Sequence, residues 1–275
     1  MIGGVDMSYV GPVFFDGVVG EQPKYIPAFE VYLLVERFLQ QAGTAMEEEL
    51  KKTPDEIALI RFAQDHAIAY LSQYERQRRL PLPLSHIHIL KEGGVEEYTE
   101  GGSAGGAYST TLGDIIIDRD SSPLSFALKV FHEHIHWGSW IVLQRTTTDE
   151  TEAYRAGITI HKRDGSVEFF QDMSEAIVGL FDRRFFYEIA SQEERFKKEA
   201  ATFSIEEFSR PEEVRVLRQV IDELARRNPM LTQGYITEMF IRAELKGYLL
   251  NLARLFDQTF GKGRFREFGK GEFSI

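Results

Sequence analysis

Phe131-His132-Glu133-His134-Ile135-His136-Trp137 is the stretch on which the reading of this chain turns. It contains His-Glu-x-x-His, and its surroundings are those of a helix. Ser122-Pro123 upstream places a hydroxyl at the N-cap and proline at the first helical position. Leu124, Leu128, Phe131, Ile135 and Val142 then recur as an apolar stripe, which predicts a helix from Ser122 to about Leu143. On such a helix, residues four apart project from one face about one turn apart. His132 and His136 can therefore approach one ion from the same side, with Glu133 about 100° round, beside that ion but not on it. His134 points elsewhere. Gly138 leaves room for a close neighbour at the helix end.

The chain has no cysteine. Any transition metal must then be held by His, Asp or Glu. A catalytic zinc commonly has three protein ligands and one open position. After His136 the sequence runs Trp137-Gly138-Ser139-Trp140-Ile141-Val142, with no histidine before His161, so a carboxylate is expected as third ligand. Glu175 leads, in the first turn of a helix opened by Asp172-Met173-Ser174-Glu175 and given an apolar face by Ile177, Leu180 and Phe181. Glu152 and Asp149 are alternatives, and Glu175 has a competing role as a capping-box residue. His86 and His88 share a face of a predicted strand, Ser85–Leu90, but alternating strand polarity explains that pair without a metal.

An HExxH helix followed by a glutamate on a later helix resembles the zincin metallopeptidases with a glutamate ligand, the gluzincins. Tyr154-Arg155-Ala156-Gly157, a hairpin, and Ser174-Glu175-Ala176-Ile177 are similar to small bacterial gluzincin-like proteins. Those carry an Arg-x-Gly strand and an Asn-Glu-Ala-hydrophobic-Thr-Glu helix. Ser174 stands where that pattern usually has Asn, and Val178-Gly179 where it often has Thr-Glu. The likeness spans about residues 105–190. It implies one zinc ion held by His132, His136 and Glu175, with Glu133 activating a water for hydrolysis of a peptide bond. It also implies that the strand ending in Ile115-Ile116-Ile117 edges the cleft and pairs with an extended peptide; an ordinary central strand is the alternative. Tyr154, Arg155 and Tyr187 are candidate oxyanion donors. A catalytically silent zincin-like scaffold that binds a protein or peptide is the alternative function. A third reading is a latent enzyme whose Gly261–Ile275 tail fills the cleft with Phe265, Phe268 and Phe273.

Around this centre the chain reads as an ordinary globular protein of 275 residues, 43% hydrophobic and 27% charged. A net charge of −11 argues against nucleic acid as a partner, and the basic run at Arg76, Arg78 and Arg79 reads as a solvated helix end. No apolar run is long enough for a membrane span. Without cysteines or a leader-like start, the expectation is cytoplasmic. The predicted architecture is α+β and helix-rich, a single zincin-like domain with a small mixed sheet. Residues 1–80 form a mainly helical part, with helices from Pro27 to about Ala42 and from the capping box Thr53-Pro54-Asp55-Glu56 to near Arg79. Residues 81–190 hold the sheet, including a strand over Ala107–Asp118 after the Gly93–Gly106 loop, then the metal helix and the third-ligand helix. A hairpin joins Ala153–Ile160 to Ser166–Phe170 around Asp164-Gly165. Residues 191–260 are helical, with starts near Ser204, Pro211 and Thr237, and 261–275 form a mobile tail.

Overall fold

The structure is a computed structural model that describes residues 15–19, 49–74, 81–99, 105–109, 113–145, 151–162, 164 and 166–273. The predicted helix over 27–42, the Arg76–Arg79 run and Asp149 lie outside them. Helix α1, Pro54–Leu71, opens on the predicted capping box: Thr53 Oγ1 accepts from the Glu56 amide, and Glu56 accepts from the Thr53 amide. It stops earlier than the sequence predicts.

Strands β2 (Ile87–Leu90), β3 (Gly106–Ser109) and β4 (Asp114–Asp118), with the short helix α2 (Gly94–Tyr98), follow. The single strand expected over 107–118 is instead a hairpin, turned next to Gly113 at φ 67°. The sheet order is β2-β4-β3, with β4 parallel to β2 and antiparallel to β3. Ile115 and Ile117 face the main core, while Ile116 packs with Leu90 and Val95 on the other side. That is the two-residue period of a central strand buried on both faces. The Gly93–Gly106 stretch connects two strands of this one sheet.

Helix α3, Pro123–Trp137, lies against this sheet and against α1. Ser122 caps it, accepting from the Ser125 amide at 3.0 Å. The sequence carries this helix to Leu143, but it ends at Gly138. A Cβ there would sit 2.5 Å from Leu71, so glycine permits the crossing with α1. Ile141–Arg145 is strand β5, and Val142 belongs to it, not to the helix. A second sheet runs β1-β5-β6-β7-β8, with β1 at Phe15–Val19, β6 at Thr151–Ala156, β7 at Thr159–His161 and β8 at Val167–Phe169. The predicted hairpin is thus two: β6 turns into β7 at Gly157-Ile158 before β7 turns into β8.

Helix α4, Gln171–Glu188, packs on α3 through Phe185, whose ring stacks on Phe131 at 4.1 Å. The C-terminal part consists of α5 (Lys197–Ala200), α6 (Ile205–Phe208, capped by Ser204), α7 (Pro211–Arg227), α8 (Gln233–Lys246), α9 (Leu249–Phe260) and α10 (Arg264–Gly269). Helix α8 starts at the Thr232 cap, ahead of the predicted Thr237. The tail is docked up to Phe273: Phe265 and Phe268 are buried, Phe268 lies 4.9 Å from Phe256, and the Phe170 amide donates to Gly269 O at 2.7 Å. The whole is helix-rich α+β with small mixed sheets. No helix among the described residues is long and apolar enough to cross a membrane.

Candidate metal centre

Helices α3 and α4 bring His132, His136 and Glu175 together. One ligand atom from each lies within 4.8 Å of the others, a group that could hold a metal ion. His132 Nε2 and His136 Nε2 are 3.1 Å apart. Glu175 Oε1 is 3.4 Å from His136 Nε2, and Oε2 is 3.5 Å from His132 Nε2. Glu175 Oε2 is buried and finds no hydrogen-bond partner among the described residues. Two imidazole nitrogens and a carboxylate thus face one another, an arrangement that could hold a shared cation. Glu152, the rival carboxylate, lies on β6, and its side chain is outside the described residues.

Asp182, one helical face with Glu175 but two turns further on, completes the group. It is fully buried, and the His132 Nδ1–H donates to its Oδ2 at 2.8 Å. That bond fixes the ring and turns Nε2 toward the centre. Burial works against a charge on His132, but Asp182 and then Glu175 outweigh it and hold its pKa well above the usual value. For Glu175, burial is outweighed by His136 and His132, which hold its carboxyl well below the usual range. Asp182→Asn is expected to weaken metal binding by about 10–100-fold, measured by chelator competition, because the amide cannot fix the ring as an ionised acceptor does.

Glu133 is buried on the same helix and sits outside this triangle. Burial raises its pKa above the usual carboxylate value, although the His132 and His136 charges oppose it. Its carboxylate lies against β3: a Cβ on Gly106 would come 2.8 Å from Glu133 Oε1. His134 faces the core, fully buried. It donates from Nδ1 to Val130 O at 2.7 Å and accepts from Gln64 Nε2 at 3.1 Å, and burial lowers its pKa to about 4. It is a neutral structural residue. His86 and His88 are engaged by carboxylates, His86 by Asp114 at 2.7 Å and His88 by Glu49 at 3.0 Å, and form no ligand pair.

The cleft over the centre has a volume of about 230 Å³ and is lined by Gly106, Ala107 and Tyr108 of β3, by His161 and by Arg210 besides the ligands. Three expectations are corrected here. Strand β4, which holds Ile115–Ile117, is paired on both sides, and the strand that borders the cleft is β3. Arg155 is buried and spends its nitrogens on the carbonyls of Gly157, Ala243 and Gly247. Tyr187 is exposed and donates to Glu206, and neither these two nor Tyr154 lines the cleft. Nor does any described residue of the 261–275 tail.

Sequence reasoning missed Glu244, fully buried on α8. Its carboxylate accepts from Ser139 Oγ at 2.6 Å, Ser174 Oγ at 3.0 Å and the Ile158 amide at 2.8 Å. It ties the end of the HExxH helix to the residue before Glu175, which accounts for serine at 174. Comparison with protein-family models, with curated proteins and with solved structures finds no match to this chain, and the functional argument rests on the centre's own geometry.

Proposed function

We propose that the chain is a zinc-dependent hydrolase of the gluzincin-like zincin type, a peptidase with His132, His136 and Glu175 as ligands and Glu133 as general base. The donor triangle is the observation that carries this. Four donors about 2.0–2.1 Å from zinc in a tetrahedron are separated by roughly 3.3 Å. His132 Nε2 and His136 Nε2 stand 3.1 Å apart, and each faces its own oxygen of Glu175, at 3.5 Å to Oε2 and 3.4 Å to Oε1, spacings close to that separation, at the floor of the cleft. Bound zinc would polarise a carbonyl and acidify a water. Glu133 then takes a proton from the attacking water and returns it to the leaving nitrogen.

A peptide is the favoured substrate because of β3. Gly106, Ala107 and Tyr108 of this extended strand border the cleft. A chain lying extended along this rim would have a carbonyl led over the centre.

The test is metal content, measured on wild type, His136→Ala and Glu175→Ala purified in parallel. About one equivalent of zinc is expected in the wild type, with strong loss in both variants. Equal bound metal in all three defeats the assignment.

A further inference from the structure

We propose that Arg210 is the electrophilic residue of this centre, its guanidinium binding the oxygen that gains negative charge when the scissile carbonyl is attacked. The proposal rests on the hydrolase reading above and supplies the donor that the buried Arg155 and the distant Tyr187 do not.

Position comes first. Arg210 lines the same cleft as the ligands. Its Nε is 3.4 Å from Glu175 Oε2, and its side chain remains 48% exposed. Its other guanidinium nitrogens have no partner among the described residues. A planar guanidinium that lines the cleft with one corner beside a ligand carboxylate is suited to a developing oxyanion.

The backbone gives a second, independent reason. Arg210 has φ 52°, and among the described residues only Phe170 shares a positive φ without being glycine. A strained backbone of this kind persists where its surroundings enforce it, and such positions cluster at functional sites. The enforcing contacts are visible. Ser209 is fully buried, its Oγ accepts from Arg183 Nε at 2.7 Å, and its amide donates to Ile205 O at 2.9 Å. Pro211 begins α7 on the other side. Gly179 lies one turn beyond Glu175 on α4, and a Cβ there would come 2.7 Å from the Ser209 carbonyl oxygen. The resembling pattern often has a glutamate at this position. Here the missing side chain lets the 209–210 segment settle on α4 and brings Arg210 beside Glu175.

The chemistry balances within these residues. Glu133 removes one proton from water as the O–C bond forms, and the carbonyl π pair moves to oxygen, where Arg210 donates hydrogen bonds. When the pair returns, the C–N bond breaks and the proton held by Glu133 passes to the leaving amine.

The experiment compares wild type, Arg210→Met, Arg210→Lys and Gly179→Ala, each carrying its metal. It measures kcat and KM on an unstructured protein, metal affinity by chelator competition, and calorimetric affinity for a peptide phosphonate, which mimics the tetrahedral anion. Arg210→Met is expected to lose about 10²–10³-fold in kcat, with KM and metal affinity little changed. Phosphonate affinity should fall by a similar factor, Arg210→Lys should recover part of both, and Gly179→Ala should imitate the loss. Unchanged kcat and phosphonate affinity in Arg210→Met overturns the proposal. So does a loss confined to metal affinity, which would make Arg210 only a prop for Glu175. If the wild type hydrolyses nothing, the hydrolase reading falls separately. The phosphonate result then still decides whether Arg210 is an anion donor, since binding that is absent or indifferent to Arg210 rejects it.

Discussion

Glu133→Gln should remove hydrolysis of an unstructured protein, with kcat lower by about 10²–10⁴-fold, and leave metal content at the wild-type level. The two halves of that expectation come from one fact of geometry. Glu133 is adjacent to the ligands in sequence, yet its carboxylate belongs to none of the three sides of the donor triangle. The amide has almost the same size, so the buried site keeps its packing and loses only the capacity to accept a proton. Gly106→Ala is the companion test. The added methyl would come 2.8 Å from Glu133 Oε1, the free end of a side chain, so Glu133 yields while the strand stays in place. Its expected effect is a smaller fall in kcat with metal retained. Full activity in Glu133→Gln would remove this residue from the mechanism, whatever the metal result.

The helix of His132 and His136 was legible because its signals are local. A capping serine, a proline at the first turn and two histidines four apart all lie within one segment, and the structure joins them as read. Its end was not legible. Ile141 and Val142 continue a plausible apolar period, and only the contact of Gly138 with Leu71 of α1 shows why the helix stops before them. Glu175 needed a resemblance, since nothing in its spacing from His136 singles it out. The reading of the residues just after Glu175 then missed the second carboxylate, because it sought that group one turn on, at Gly179. Asp182 stands two turns on, where a helix brings a side chain back to nearly the same face. The tail was misread for a related reason. Gly and charge dominate residues 261–275, but Phe265, Phe268 and Phe273 find Phe256 and Phe170, partners that composition cannot reveal. Glu244 is the extreme case: its partners Ser174 and Ser139 are 70 and 105 residues away in sequence.

Glu244→Ala should therefore cause the largest loss of stability of any change near the centre, about 3–5 kcal/mol. The carboxylate is fully buried, and its removal takes the common acceptor from two serine hydroxyls and the Ile158 amide. The Arg155 guanidinium, also buried, loses the negative charge beside it. The surroundings are built to this one side chain. Gly157 holds φ 59°, and a Cβ on it would sit 2.0 Å from Glu244 Oε1, so residue 157 must lack a side chain while Glu244 is in place. At roughly 2–4 °C per kcal/mol, a fall in Tm on the order of 10 °C is expected. Glu244→Gln should cost less, because it keeps the volume and one acceptor oxygen. Metal affinity should fall along with stability in Glu244→Ala. Ser139 lies just past the helix that carries both histidines, and Ser174 immediately precedes Glu175, so their common acceptor helps set the spacing of the donor triangle. Thermal unfolding and chelator competition on the same preparations check both effects. A Glu244→Ala protein with the wild-type Tm and the wild-type metal affinity would show that α3 and α4 hold their ligands in place through the Phe131–Phe185 stack and its apolar surroundings alone.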